Sequence, residues 1–243
     1  MKCVIIDDEP LARTIVKEYL QYHPDIEIVA ECNDGFEGVK AIQQWQPELV
    51  FLDIQMPKIN GFEMLELIES NPQVVFTTAF EEYAIKAFEN SAVDYLLKPF
   101  SKERFDKALQ KVLAQPHEVK TTETVLDNAA YSPQQSSRVV VKEGGKIRII
   151  PVSQIQYLEG ADDYVKIFTA EAFFLKKKTM QYFEQTLPKQ QFVRIHRSYI
   201  INIQLITRID AYDKEGYLAV LNSGKKLPVS KTGYSKLREI LGL

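Results

Sequence analysis

The chain predicts two domains of different class: an α/β domain built on a doubly wound, five-stranded parallel sheet, then a mainly antiparallel β domain with one or two short helices. Three observations carry this. Over the first 115 residues short apolar runs alternate with helical spacings of apolar residues; beyond Arg138 the period changes to two and stays there. At 243 residues the chain also exceeds the common single-domain size. The expected boundaries are 1–115, a linker at 116–137, and 138–243.

The first strand is the apolar run from Lys2 to Ile6. Leu11, Ile15, Val16 and Tyr19 then fall on one helical face, and IEIVAEC returns to strand character. Phe36, Val39, Ile42 and Gln43 continue as a helix that stops before Pro47, ahead of the strand ELVFLD. Phe62, Leu65 and Ile68 mark a third helix and Val74 to Phe76 a fourth strand. Tyr83, Ala84, Ala87 and Phe88 mark a fourth helix, Tyr95 to Leu97 a fifth strand, and Phe105, Ala108, Leu109 and Val112 a fifth helix. Five strand–helix units without a long excursion give helices on both faces of one sheet. The polar run QPHEVKTTETVLDNAAYSPQQSS, Gln115 to Ser137, cannot offset chain entropy by burial and reads as a flexible linker.

In the second half RVVVKEGGKIRIIPV reads as a hairpin turned at Gly144-Gly145, and QIQYLEGADDYVKIFT as a strand pair around Gly160. FFLKKKTM, FVRIHRSYIIN, LITRIDAYD, GYLAVLNSG and KKLPVS supply further short strands. Two helices interrupt them, Met180 to Leu187, stopped by Pro188, and about Gly233 to Leu241.

Chemistry concentrates at the strand ends of the first domain. Asp7-Asp8, Asp53, Thr78 and Lys98-Pro99 each follow a buried strand, and residues past the carboxyl ends of parallel strands converge on one crevice. Singly, each has an ordinary reading: a helix cap or turn for the acids, a strand end for Thr78, a turn for Lys98-Pro99. Their coincidence at successive strand ends follows from none of these. Three carboxylates repel one another unless one is protonated or a cation joins them, and oxygen-only ligands favour a hard divalent ion such as Mg2+. A metal-supported Asp can attack phosphorus, with Lys98 and the Thr78 hydroxyl satisfying the phosphoryl oxygens.

VIIDDEP, VFLDIQMP, KINGFEM, VVFTTAF and AVDYLLKPF resemble, in order, the landmarks of bacterial response-regulator receiver domains, which have a flavodoxin-like fold. The resemblance implies that Asp53 accepts the phosphoryl group and that Asp8, Asp53 and the backbone carbonyl of Gln55 bind Mg2+, with Asp7 supporting the metal through water. It implies that Lys98 and Thr78 contact the phosphoryl group, that Tyr95 is the switch aromatic, and that the Lys98-Pro99 bond is cis. It also implies a sensor histidine kinase as phosphodonor and a homodimer, when phosphorylated, through the face of the fourth helix, fifth strand and fifth helix.

The net charge of −3 hides an asymmetry. Residues 1–117 carry 11 Lys and Arg against 20 Asp and Glu, a net −9, whereas residues 138–243 carry 18 against 10, a net +8. An acidic half suits a metal site and a basic half a polyanion. IQYLEGADDYVKIF, MQYFEQTLP, KQQFVRIHRSYIIN and LPVSKTGYSKLREIL resemble the LytTR family of DNA-binding domains, whose loops enter successive major grooves of double-stranded DNA. By position the contact candidates are Asp163 or Tyr164, His196 and Arg197, and Ser230 and Lys231, although the first loop is acidic here at Asp162-Asp163. This half holds no Ser-His-Asp or metal constellation, so no enzymatic output is expected. Asp53-Ile54-Gln55 also lacks the second Asp a phosphohydrolase would use as general acid. A signalling adaptor whose β domain binds protein or RNA is the alternative. Cys3 and Cys32 read as buried free thiols. No secretory segment and no apolar run of membrane-spanning length is evident, which gives a cytoplasmic expectation without membrane contact.

Overall fold

The structure is a computed structural model that describes residues 1–79, 92–114, 137–144, 146–212 and 216–242. The chain divides into two compact units, Met1–Ala129 and Ala130–Leu243.

In the first unit the strands are β1 (Lys2–Ile6), β2 (Glu27–Cys32), β3 (Leu49–Asp53), β4 (Gln73–Thr78) and β5 (Asp94–Leu97), and the helices are α1 (Pro10–Leu20), α2 (Gly35–Trp45), α3 (Gly61–Leu65) and α4 (Lys102–Ala114). The strands pair in parallel in the order β2-β1-β3-β4-β5. Such a sheet is buried on both faces, which is why its strands read as continuous apolar runs. Cys3, Ile5, Leu49, Phe51, Val75 and Leu96 pack on one face against Val16 and Leu20 of α1 and Phe105, Ala108, Leu109 and Val112 of α4. On the other face α2 packs against β1, β2 and α3. Asp34 caps α2 by accepting from the amides of Phe36 and Glu37 at 2.9 and 3.0 Å.

Three local readings need correction here. The third helix stops at Leu65: Leu67, not Ile68, is the buried residue that follows, and it lies in a turn. Pro72 keeps Asn71 out of the helical region, and Ser70 and Asn71 favour turns. The fourth strand runs on to Thr78, so Thr78 and Asp53 are the last residues of strands and do not lie beyond them. The helix expected around Tyr83 to Phe88 lies outside the described residues, as does the linker at 116–137 apart from Ser137.

The second unit contains β6 (Arg138–Glu143), β7 (Lys146–Pro151), β8 (Tyr157–Ala161), β9 (Tyr164–Phe168), β10 (Phe173–Lys176), α5 (Met180–Thr186), β11 (Phe192–His196), β12 (Tyr199–Asn202), β13 (Ile206–Tyr212), β14 (Gly216–Leu221), β15 (Lys226–Val229) and α6 (Lys231–Leu241). They form the β6-β7 hairpin, a five-stranded antiparallel sheet β10-β9-β8-β12-β11, and a three-stranded sheet β13-β14-β15. The five-stranded sheet is the middle layer. Leu158, Val165, Ile167, Phe192 and Ile200 face a core shared with the hairpin and α5, whereas their neighbours Tyr157, Val193 and Ile201 face a core shared with the three-stranded sheet and α6.

Two turns differ from expectation. The β8–β9 turn is not at Gly160 but at Asp162–Asp163, with Asp162 at φ +50°, a conformation Asp tolerates because its short polar side chain bonds locally. Gly160 stays inside β8, where a side chain would press on Met180. The run FVRIHRSYIIN is a hairpin, β11 and β12, turned at Arg197–Ser198. The final helix begins two residues earlier than Gly233, at Lys231.

Candidate functional site

The parallel register sets the first site. Ile6 pairs with Leu52, Asp53 with Thr77, and Thr78 with Leu97, so the carboxyl ends of β1, β3, β4 and β5 lie side by side. Carboxylate oxygens of Asp7, Asp8 and Asp53 lie within 4.8 Å of one another. Lys98 Nζ is 2.8 Å from Asp7, 3.4 Å from Glu9 and 3.7 Å from Asp53. The ammonium therefore sits nearer Asp7 than the central carboxylate. The Lys98-Pro99 peptide is cis, and the Lys98 amide donates to the Thr78 carbonyl at 2.7 Å, joining the ends of β4 and β5.

Burial dominates the electrostatics. It pushes the Asp53 carboxyl up to about 7, with Lys98 opposing the rise and Asp7 and Asp8 adding to it. Asp7 is raised by burial too, against the pull of Lys98. Burial disfavours the Lys98 ammonium, yet the charges of Asp53 and Asp7 outweigh it and its pKa is raised. Burial likewise raises both thiols, that of Cys32 to about 12, so neither is a nucleophile at neutral pH. One lysine against three carboxylates, those of Asp7, Glu9 and Asp53, leaves excess negative charge. The donor set is oxygen-only and clustered, which fits a hard dication. Thr78 is fully buried, and among the described residues its hydroxyl has no hydrogen-bond partner. A buried orphan hydroxyl is costly unless a ligand oxygen meets it in another state. Gln55 is half-buried on the loop after β3, and Tyr95 is buried within β5.

Two supporting residues were not legible in advance. Arg13 donates to the Asp7 carbonyl at 2.6 Å, and a side chain on Gly61 would collide with the Asp53 carbonyl oxygen. Both act on backbone atoms, which leave no spacing signal in a sequence.

The second set of candidates also comes together. Tyr199 pairs with Glu159 and the Gly160 amide donates to the Ser198 carbonyl at 2.9 Å, so the turns at Asp162–Asp163 and Arg197–Ser198 share one end of the five-stranded sheet. Ser230 joins them: its amide and its Oγ both donate to the Ile195 carbonyl, at 2.9 and 3.0 Å. Its Oγ also accepts from the Gly233 amide at 3.0 Å, capping α6. Ser230 is thus engaged within the fold, while Asp163, Tyr164, Arg197 and Lys231 are exposed and His196 is half-buried. The His196 Nδ1 accepts from the Ser198 amide at 3.2 Å, leaving Nε2–H as a donor. Burial, then the charges of Arg197 and Arg194, lowers its pKa and keeps the ring neutral.

Residues 3–110 match the family model of the response regulator receiver domain, and residues 145–242 that of the LytTr DNA-binding domain. Over its whole length the chain is similar to an uncharacterized response regulatory protein of Vibrio cholerae, 34% identical over 247 residues that span 100% of this chain and 99% of the relative. It is 35% identical over 247 residues to the transcriptional regulatory protein BtsR of Escherichia coli, covering 100% of each. The sensory transduction protein LytT of Bacillus cereus is 33% identical over 252 residues, 99% of each chain. The chain belongs to the response regulators.

This response regulator joins a receiver domain to a LytTR DNA-binding domain, and its architecture implies a kinase on one side and DNA on the other. Receiver domains generally bind Mg2+ at an aspartate cluster, and the regulator has such a cluster in Asp7, Asp8 and Asp53. Among the described residues no helix is long and apolar enough to cross a membrane.

Proposed function

We propose that this regulator works in the cytoplasm as a phosphorylation-switched transcription factor. Its domains are 1–115 and 138–243, with the polar run 116–137 between them in the sequence. A sensor histidine kinase is the phosphodonor. An Asp53 carboxylate oxygen attacks the phosphorus of a phosphohistidine, the P–O bond forms, the P–N bond breaks, and the imidazole leaves with a proton. Asp7, Asp8, Asp53 and the Gln55 carbonyl would hold Mg2+, which when bound supplies positive charge against the phosphoryl oxygens. Lys98 leaves its pairing with Asp7 and Asp53 to meet one phosphoryl oxygen. The Thr78 hydroxyl donates to another and shifts the end of β4, and Tyr95 follows. The regulator acts on itself alone, with Asp53 as both nucleophile and substrate.

The observation that carries this reading is the buried Asp53, with two further carboxylates, an ammonium at 3.7 Å and a hydroxyl without a partner among the described residues, at neighbouring strand ends. Phosphorylated chains pair as homodimers, which raises avidity for adjacent DNA sites without new contacts. At the DNA, exposed Arg197 and Lys231 supply charge, His196 Nε2–H a neutral donor, and Asp163 and Tyr164 flank them. The test of the DNA surface is a gel shift over a salt series with the full chain. Arg197→Ala is expected to abolish the specific shift. Retained shift by that variant, or no shift in either phosphorylation state, contradicts the assignment and favours an adaptor that binds protein or RNA.

A further inference from the structure

Arg194 carries a positive charge at the basic end of the second unit, yet both terminal nitrogens of its guanidinium are engaged within the fold. Its Nη1 lies 2.9 Å from Glu184 Oε2 on α5, and its Nη2 donates to the Arg197 carbonyl at 2.9 Å. The other oxygen of Glu184 is 2.9 Å from Lys236 Nζ on α6. One carboxylate thus ties β11 to α6, and the Arg194 fork carries that restraint on to the Arg197–Ser198 turn.

The turn needs such a restraint. The β11–β12 register shifts between Arg194 and His196, a bulge that takes the Ile195 carbonyl out of the ladder and gives it to Ser230. A bulge beside a tight turn re-aims the side chains that follow it, and here those are His196 and Arg197. Ladder bonds alone do not fix their direction. The Ile195 carbonyl is held from one side by Ser230 and the Arg197 carbonyl from the other by Arg194, so both flanks of His196 are pinned. Glu184, like Asp162 and Asp163, puts negative charge at an end that also carries Arg194, Arg197 and Lys236. If attraction to phosphate were the only requirement there, it would weaken binding.

We propose that Arg194 and Glu184 are positioning residues for DNA recognition: they fix the Arg197–Ser198 turn and so set sequence selectivity, without contacting DNA. The proposal rests on the reading of this sheet end as the DNA surface. A lysine at 194 keeps the charge and can pair with Glu184, but it lacks the planar fork that reaches the carboxylate and the Arg197 carbonyl together.

The test uses the full chain with Mg2+ and a small phosphodonor. Wild-type protein selects duplexes from a random-sequence pool, and the enriched duplex and a scrambled duplex of equal length become the probes. Arg194→Lys and Glu184→Gln are each expected to lower the ratio of specific to non-specific affinity about tenfold, the scale of one misplaced base contact. The salt slope should stay unchanged, because no phosphate contact is lost. Glu184→Gln should bind the scrambled duplex as well as wild type or better, since a negative charge has gone. Retained scrambled-duplex binding also reports a folded basic surface. An unchanged ratio in both variants, alongside loss of specific binding in Arg197→Ala, overturns the positioning role. Equal loss on both duplexes with a shallower salt slope makes Arg194 a phosphate contact and overturns it too. If wild-type protein enriches no duplex, the DNA reading falls and this inference with it.

Discussion

Thr78 and Asp53 are each buried in a condition that the resting fold does not favour. Thr78 buries a hydroxyl that has no partner among the described residues, so Thr78→Val, which keeps the shape and removes the unsatisfied group, should leave stability within about 1 kcal/mol of wild type or raise it. The same change should blunt the phosphodonor response, read as the gain in DNA affinity. For Asp53 the sign is set by burial, which raises its folded pKa to about 7. Between the unfolded value of about 4 and 7 the folded state holds the extra proton, so this group costs stability as pH rises through that window. Asp53→Asn should therefore stabilise the metal-free protein by about 2–4 kcal/mol at pH 8, a gain that disappears near pH 4 in denaturant titrations. Mg2+ competes with that proton, so its affinity should increase from pH 6 to pH 8; calorimetry reporting a flat profile would refute the assignment. The acids, Thr78 and Lys98 were legible in the sequence because strand ends announce themselves. Arg13 and Arg194 act on backbone carbonyls, and a carbonyl belongs to every residue type, so nothing in the spelling marks it; Ser230 was marked as a DNA-contact candidate, but its bond to the Ile195 carbonyl was not.

The elements reach the site through close approaches of backbone. Gly61 opens α3 with its Cα against the Asp53 carbonyl, and Gly233 in the first turn of α6 lies against the Ile195 carbonyl. A methyl group fits at neither place, so Gly61→Ala and Gly233→Ala should each cost about 2–4 kcal/mol in chemical denaturation, by forcing the backbones apart. Gly61→Ala should also slow phosphorylation of Asp53, whereas Gly233→Ala should spare it and weaken DNA binding. Strands buried on both faces and helices with a full apolar stripe were readable from period alone, as in β1 and α4. The failures came where period is ambiguous. The spacing of Phe62, Leu65 and Ile68 mimicked a longer helix while Leu67 filled the core from a turn. At the β8–β9 turn Asp162 took the left-handed conformation that a glycine two residues earlier had suggested.

Charge divides the whole molecule as its domains do, an acidic phosphate-accepting half and a basic half of net +8. In the sequence a polar run whose composition cannot offset chain entropy by burial separates two different hydrophobic periods, and the two compact units meet within that run, at Ala129–Ala130. On the proposed reading, phosphorylation of one unit acts on the other through pairing of the receivers. The central claim is that a phosphoryl group on Asp53 controls DNA binding. The direct measurement treats wild-type and Asp53→Asn chains with a small phosphodonor and Mg2+, then reads covalent modification by intact mass and affinity for the enriched duplex in one sample. The account predicts one phosphoryl group on the wild type with about tenfold or greater gain in affinity through avidity, and neither change in the Asn chain. An Asp53→Asn chain that still gains affinity on treatment, or a fully modified wild type that gains none, contradicts it.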